Sequence, residues 1–233
     1  MKIVWMGLAG LRRTLRVRSN VFYMVVMPLL LVYLLGRGSR LGVQASSLLL
    51  MFVFFMPLII ALALQQALRS GVVSRIRATP TSTAEIVLGE AFGQVLIALF
   101  QGLVIMIGSS LLFGARWGDP VPAAALLVLF VLTGAGAAML IGSSFKGEGM
   151  VFGLAMVLGL GLPTLGGSLY PPLERMAEPL RTFAHLTPHA WGHKGFTAVL
   201  SGGNPWPPIG MLAVFAALLM TAGIWQFHRR VSR

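Results

Sequence analysis

The sequence predicts an all-α integral membrane protein with six transmembrane helices. We expect an interfacial amphipathic helix before the first span and an outer re-entrant hairpin between spans five and six. Of the 233 residues, 57% are hydrophobic and 10% are charged, whereas soluble domains carry about 25% charged residues. This composition excludes a soluble enzyme, a disordered regulator and, because the chain has no cysteine, a disulfide scaffold.

Six apolar stretches are long enough, or nearly long enough, to cross a bilayer, which takes about 20 residues. Short polar connectors separate them, so residues 1–233 are predicted to form a single membrane domain. Small residues four apart predict close helix packing in the fourth stretch (Gly134, Ala138, Gly142) and in the fifth (Gly149 with Gly153, Ala155 with Gly159). The six predicted spans are Val21–Gly36, Ser46–Gln66, Ala91–Phe113, Val121–Ser143, Gly149–Leu169 and Pro207–Phe227.

The basic residues orient these spans. With the N-terminus inside, 12 of the 18 Lys and Arg residues fall on the inner side and 6 on the outer side. Inner loops of membrane proteins are enriched in Lys and Arg, so both termini are predicted to be cytoplasmic. The net charge of +12 is therefore assigned to membrane topology, and no nucleic-acid partner is expected.

Residues 1–18 have the pattern of an amphipathic helix that lies in the headgroup plane. At 100° per residue, four apolar side chains share one arc, and Lys2, Arg13 and Arg16 lie on the opposite side. The alternatives are a solvated basic tail and a signal peptide, and no small-x-small cleavage site supports the second. The apolar arc is Val4, Leu8, Leu11 and Leu15, and the arginines expected to meet anionic lipid are Arg12, Arg13 and Arg16.

The predicted spans contain no ionisable residues. Ion-driven transporters and charged-ring channels need such groups at membrane depth, so both are disfavoured. Any pathway would be mostly apolar, with mild polar groups and adaptable Phe and Met side chains; ordinary packing or lipid contact is the alternative for each. The pathway candidates are Phe52, Phe55, Met56, Gln94 and Gln101.

No catalytic residue or metal ligand is assigned. A phosphate-cradling loop needs a Gly-Lys pair, which the sequence lacks. His185, His189 and His193 are spaced four apart, as zinc ligands on one helix face would be, but Pro188 interrupts that helix. Interfacial histidines are the alternative. Ser168 has no histidine in any predicted span to activate it.

Two connectors have distinctive sequences. In residues 66–90, a predicted cytoplasmic connector, Gly71 and Pro80 bound a short basic segment, and Thr81, Ser82 or Thr83 is expected to cap the helix leading into span three. Residues 166–206 contain five prolines and are expected to form an outer hairpin or lid. Two short helices are predicted there, Glu174–Leu186 and Trp191–Leu200.

These connectors resemble those of the ABC-2 type transporter permeases, the membrane subunits of ATP-driven exporters. Residues 71–82, Gly-Val-Val-Ser-Arg-Ile-Arg-Ala-Thr-Pro-Thr-Ser, are similar to the family's segment between spans two and three. Residues 166–174 and 186–191 are similar to its outer hairpin. One departure is that Leu68, Arg69 and Ser70 stand where the family often has acidic residues.

The resemblance implies a permease of a bacterial inner membrane that exports a hydrophobic or amphipathic cargo, such as a drug, antibiotic, peptide or lipid. It implies two copies of a separate ATPase, which bind ATP and Mg, and a second permease, identical or a sister subunit. The pathway would follow spans two and five, with Leu165, Leu169 and Tyr170 as gate candidates. The implied coupling residues are Arg69, Gly71, Arg75, Arg77, Thr79 and Pro80.

Two other functions remain open from the sequence. A membrane anchor or assembly subunit would use the same basic connector without transporting anything. A membrane metalloenzyme would use the three histidines.

Overall fold

A computed structural model describes residues 2–36, 41–70, 81–168 and 176–232, with the backbone alone for residues 63 and 67–69. Every regular element in these ranges is helical. The elements are α1 (Lys2–Arg16), α2 (Arg18–Val21), a π-helical turn (Phe22–Val26), α3 (Met27–Leu35), α4 (Leu41–Arg69), α5 (Thr83–Phe113), α6 (Pro120–Ser144), α7 (Glu148–Leu165), α8 (Leu180–Ala184), α9 (Pro188–Ser201) and α10 (Trp206–Ser232).

Six segments of these helices are long and apolar enough to cross a membrane, as predicted. Span one combines α2, the π-helical turn and α3, and spans two to six are α4, α5, α6, α7 and α10. Span three starts at Thr83, eight residues before the predicted Ala91, and span six runs to Ser232 rather than Phe227. Span five ends at Leu165 instead of Leu169. Hydropathy detects the apolar part of a helix, and the backbone hydrogen bonds continue into polar flanks.

Span one changes its helical period along its length. Phe22–Val26 forms a π-helical turn between two α-helical segments. Gln101 of α5 donates from Nε2 to the backbone carbonyl of Met24 in this turn, over 2.8 Å. A side chain bonded to the backbone of a neighbouring helix in this way is one known cause of a local break in the α-helical ladder.

The centre of the bundle is formed by α4 and α6. Gly134 and Gly142 of α6 face the backbone of α4 near Val53 and Ala61, and Ala138 between them is fully buried. This confirms the predicted packing of the small-residue positions in span four. Another face of α6 packs against α10, and this contact is the most extensive of any helix pair. At this contact Gly136 lies against the backbone of Leu219 and Met220.

Helix α1 packs along α5. A Cβ atom on Gly7 would lie 2.4 Å from the Phe92 ring, so the two helices cross at close range. The predicted apolar arc is divided: Leu11 and Leu15 pack on protein, whereas Val4 is 49% exposed. The arc is thus partly covered by the chain's own helices.

The predicted outer segment, residues 166–206, is helical in two places within its described part. The second predicted helix, Trp191–Leu200, is present as α9, which begins at Pro188 with Thr187 as its N-cap and ends at Ser201. Among the described residues the first, Glu174–Leu186, is limited to the five residues of α8, because Pro179 precedes it and a turn follows at His185. Helix α9 packs against α4, α6 and α10, so it is part of the bundle.

Candidate coupling and transport site

The predicted coupling segment lies between α4 and α5. Arg69 is the last residue of α4, where the structure describes the backbone alone. Gly71, Arg75, Arg77, Thr79 and Pro80 lie outside the described residues. Their role as coupling residues therefore stays a prediction, and what the structure describes is how the helices on either side are held.

Helix α5 begins with a capping box. The Ser82 hydroxyl accepts from the backbone N–H of Glu85, and the Glu85 carboxylate accepts from the N–H of Ser82 at 2.8 Å. This pairing satisfies two donors that a helix start otherwise leaves unpaired. It confirms a cap among Thr81, Ser82 and Thr83, and identifies Ser82. Lys2 of α1 also lies 3.7 Å from the Glu85 carboxylate, so α1 is held at the first turn of α5.

The end of α4 is bonded to the connector between α6 and α7. Gln65 Nε2 donates to the carbonyl of Phe145, the residue that ends α6. Gln66 Nε2 lies 3.5 Å from the carboxylate of Glu148, in the first turn of α7. Neither glutamine was predicted as a site residue. Two adjacent amides at the end of an apolar helix are the signal that could have indicated a polar partner there.

The pathway candidates of α4 are buried within the bundle or packed on α7. Phe52 and Met56 are 5% and 4% exposed. Phe55 points at α7, where a Cβ atom on Gly159 would lie 2.1 Å from its ring. Spans two and five are therefore in direct contact through Phe55 and Gly159.

The two glutamine candidates on α5 each donate one hydrogen bond. Gln94 Nε2 donates to the Glu90 carboxylate at 3.1 Å, and Gln101 Nε2 donates to Met24. The amide oxygens of both side chains are buried and have no hydrogen-bond partner. Each side chain thus keeps an acceptor that another conformation or a ligand would satisfy. Their place on a transport pathway stays a prediction.

The C-terminal end of α7, predicted to be its outer end, borders an apolar cavity. Leu165, a gate candidate, lines a cavity of about 450 Å³ together with Leu160, Gly161, Thr164, Met176 and Leu180. This volume is in the range of small-molecule binding sites. The other two gate candidates, Leu169 and Tyr170, lie outside the described residues.

Helix α7 is attached mainly on one side. It packs chiefly against α4 and touches α6, α8 and α9 much less. Its opposite face is open: Val157 is 66% exposed, and a Cβ atom on Gly149, Gly153 or Gly161 would meet no described atom within 4 Å. Ala155 and Gly159 pack inward as predicted, whereas Gly149 and Gly153 do not pack against this chain.

The histidines do not form a metal site among the described residues. His189 is fully buried between the rings of Phe54 and Phe130, with centroid distances of 4.8 and 5.1 Å. Burial lowers the pKa of His189 to about 3, and a weaker effect of the Leu50 backbone opposes it. Neither ring nitrogen has a well-formed hydrogen bond. His189 is thus a packed, uncharged ring of α9.

His185 has a different role at the end of α8. Its Nδ1 lies 2.7 Å from the carbonyl of Arg181, so Nδ1 carries the proton and Nε2 accepts from the Lys194 ammonium. The carbonyl of His185 accepts from the indole N–H of Trp191 at 2.8 Å. These bonds hold α8 against α9. They also engage both ring nitrogens of His185, so the ring offers no free nitrogen to a metal ion.

Comparison with known proteins gives two matches. Residues 38–225 match the family profile described as "ABC-2 family transporter protein". The chain is 26% identical over 195 residues to the linearmycin resistance permease protein LnrN of Bacillus subtilis. The aligned region covers 81% of this chain and 50% of that relative, so the chain spans about half the length of the curated relative it matches.

Proposed function

Since the chain belongs to the ABC-2 transporter family, we propose that it is a membrane-spanning permease of an ATP-driven exporter. The single observation that carries the proposal is the family match over residues 38–225, which includes five of the six apolar helices almost completely.

We place the ATPase contact on the connector between α4 and α5. Two copies of a separate ATPase would bind ATP and Mg, and this chain would bind neither. Arg69, Gly71, Arg75, Arg77, Thr79 and Pro80 would form the coupling element. The capping box and the Lys2–Glu85 ion pair support this proposal, because they hold in place the first turn of α5, the helix that follows the coupling segment.

A second permease, identical or a sister subunit, would pack on the open face of α7. Its exposed Val157 and open glycines permit close approach of another helix. The pathway would then follow spans two and five at this interface. Leu165 and the apolar cavity beside it would contact the cargo as it leaves.

The proposed cargo is hydrophobic or amphipathic. The cavity at the outer end of α7 is lined mainly by apolar side chains, and the related protein is named for resistance to linearmycin. A drug, an antibiotic, a peptide or a lipid fits this chemistry. Helix α1 would lie in the headgroup layer of the inner membrane, with Trp5 and Val4 toward lipid and Arg12, Arg13 and Arg16 near anionic headgroups.

The test is affinity purification from native membranes with mass analysis of the intact complex. We expect a soluble subunit with a phosphate-cradling loop, at two copies per two permeases. Arg75→Glu should release this subunit without affecting membrane insertion, because it reverses a charge in the coupling segment. Arg116→Glu, in the connector between α5 and α6, is the matched control and should keep it.

A chain that purifies alone in several detergents would contradict the exporter proposal and favour an anchor function. A soluble ATPase that stays bound to Arg75→Glu, together with normal export, would contradict only the assignment of the coupling segment.

A further inference from the structure

Gln65 is a buried polar residue that the proposed pathway does not use. It is 1% exposed and lies in the last two turns of α4, shortly before the coupling segment. Its amide nitrogen donates to the carbonyl of Phe145. Phe145 is the C-cap of α6, where the backbone is extended. A carbonyl at a helix end has no partner within its own helix, so Gln65 supplies the one it needs.

The neighbouring residue contacts the other side of the same connector. Gln66 Nε2 lies 3.5 Å from the Glu148 carboxylate, in the first turn of α7. The N-cap of α7 is Gly147, which has no side chain to accept from the backbone N–H groups of the first turn. The two adjacent glutamines therefore link the end of α4 both to the end of α6 and to the start of α7.

The packing of α7 makes this link important. Helix α6 is held on several sides, by α4, α5 and α10, whereas α7 packs chiefly on α4. Contacts between α7 and α6 are few, although the two are joined by a connector of three residues, 145–147. A displacement at the end of α4 thus reaches α7 by two routes, the helix contact at Phe55 and Gly159 and the bonds made by Gln65 and Gln66.

We propose that Gln65 is a positioning residue of the transport cycle, which transmits movement of the coupling segment to the cytoplasmic start of span five. This inference rests on the proposed function, because it needs an ATPase that moves the coupling segment. Gln65 would contact neither the cargo nor ATP. When the end of α4 moves, the Gln65 bond would make the start of α7 move with it.

The chain contains a matched control for this bond. Trp117, in the connector between α5 and α6, also donates from a side-chain N–H to a backbone carbonyl, that of Met106 at 3.1 Å. Its bond lies at the end of α5 that is away from the coupling segment. Gln65→Met and Trp117→Phe therefore each remove one hydrogen bond from a side-chain N–H to a backbone carbonyl.

The experiment compares both variants with the wild-type complex in vesicles, with the native ATPase bound. The readouts are ATP hydrolysis, its stimulation by a hydrophobic probe drug, and drug molecules exported per ATP. Loss of one hydrogen bond allows about a tenfold effect. We expect Gln65→Met to reduce export per ATP by about that factor with basal hydrolysis retained, and Trp117→Phe to leave the ratio within about twofold.

Equal ratios for the two variants would overturn the proposal, since both would then act through stability alone. If the wild-type complex shows no stimulated hydrolysis or export, the proposed function fails instead, and the two failures are distinguishable. A further variant, Gln65→Asn, keeps the amide on a shorter side chain and should restore part of the export if the bond is what matters.

A cross-link supplies a second test that does not depend on removing Gln65. The chain has no native cysteine, so Gln66→Cys with Glu148→Cys can be joined by a short thiol-reactive linker. If the two ends move together, the linked protein should still export. Export that stops on linking and returns when the linker is cleaved would show that they separate in the cycle, which contradicts the proposal.

Discussion

His189 illustrates how a single polar side chain is accommodated in this bundle. The ring contacts Phe54 and Phe130 and has no well-formed hydrogen bond. Replacing such a group with an apolar ring of similar shape is nearly neutral or stabilising in other proteins. The residue therefore behaves as an aromatic packing element at neutral pH, and protonation is what would disturb it.

We predict that His189→Phe makes the protein less sensitive to acid. The pKa of His189 in the folded state is about 3, below its ordinary value of 6.5, so protons bind preferentially to the unfolded chain. Stability is complete above pH 6.5 and is lost as the pH falls toward 3. At pH 5 linkage gives a loss of about 2 kcal/mol. Thermal unfolding in detergent at pH 7.5 and pH 5 should show a smaller fall for the variant than for wild type.

His228→Phe, at an exposed position of α10, is the control for removing one histidine. If His189→Phe and His228→Phe lose thermal stability equally between the two pH values, the burial of His189 is not responsible.

A second prediction at this scale concerns Gly136, where α6 crosses α10. A Cβ atom there would lie 2.4 Å from the backbone nitrogen of Met220, which cannot move away as a side chain could. Gly136→Ala should destabilise the protein by about 1–3 kcal/mol, the usual cost of overpacking. Gly210→Ala in α10 meets nothing within 4 Å and should be neutral or slightly stabilising. Unfolding midpoints in detergent check both, and equal midpoints would refute the close crossing.

Among the elements, α5 shows how a polar helix start can precede a membrane span. Its first turn is fixed by the Ser82 capping box and by the ion pair of Glu85 with Lys2 of α1. Because α1 also packs along α5 through Gly7, these two helices are expected to move as one body next to the coupling segment.

Removing the Ser82 cap should make the first turn of α5 less stable. Ser82→Ala is expected to cost about 1 kcal/mol and to speed amide exchange in residues 83–86, because the backbone N–H of Glu85 loses its acceptor. Ser82→Asp keeps an acceptor and should preserve slow exchange. Hydrogen–deuterium exchange with mass spectrometry measures both. Unchanged exchange in Ser82→Ala would mean that the Lys2 contact alone holds the turn.

The helices differ in how far the sequence could predict them. The six apolar stretches and the cap near Ser82 followed from hydropathy and residue type, because these depend on local chemistry. The apolar stretch of span three was predicted to begin at Ala91, eight residues after the helix itself begins at Thr83, since Glu85 and Glu90 lower the hydropathy of a helix that continues through them. The bonds of Gln65 and Gln101 could not be predicted, because their partners, Phe145 and Met24, are about 80 residues away.

Across the whole molecule, the helices form a firmly packed group, α4, α5, α6, α9 and α10, with α7 attached at its side. This asymmetry suits a protein in which one helix must shift relative to the others. The coupling residues between 71 and 80 and the gate candidates Leu169 and Tyr170 could be proposed only through the family resemblance, since residue chemistry alone gives a basic connector and a proline-rich hairpin.

Orientation is a property of the whole chain, and cysteine labelling tests it. Ser201→Cys and Ser232→Cys place single thiols at exposed positions in a chain without native cysteine. Because twice as many basic residues lie on the predicted inner side as on the outer side, Ser201→Cys should react with a membrane-impermeant maleimide in intact cells. Ser232→Cys should react only after permeabilisation. The reverse pattern would invert the topology.

The π-helical turn at Phe22–Val26 affects how span one responds to mutation. Each turn of an α-helix holds 3.6 residues, and one residue more in a single turn rotates everything beyond it by about 100°. If residues 18–35 are substituted one at a time, the tolerated positions should recur with the helical period of 3.6 residues on each side of the turn. The pattern should shift by one residue near Met24. Deleting one residue of the turn should erase that shift, and alignments of this span would then require a gap at the same place.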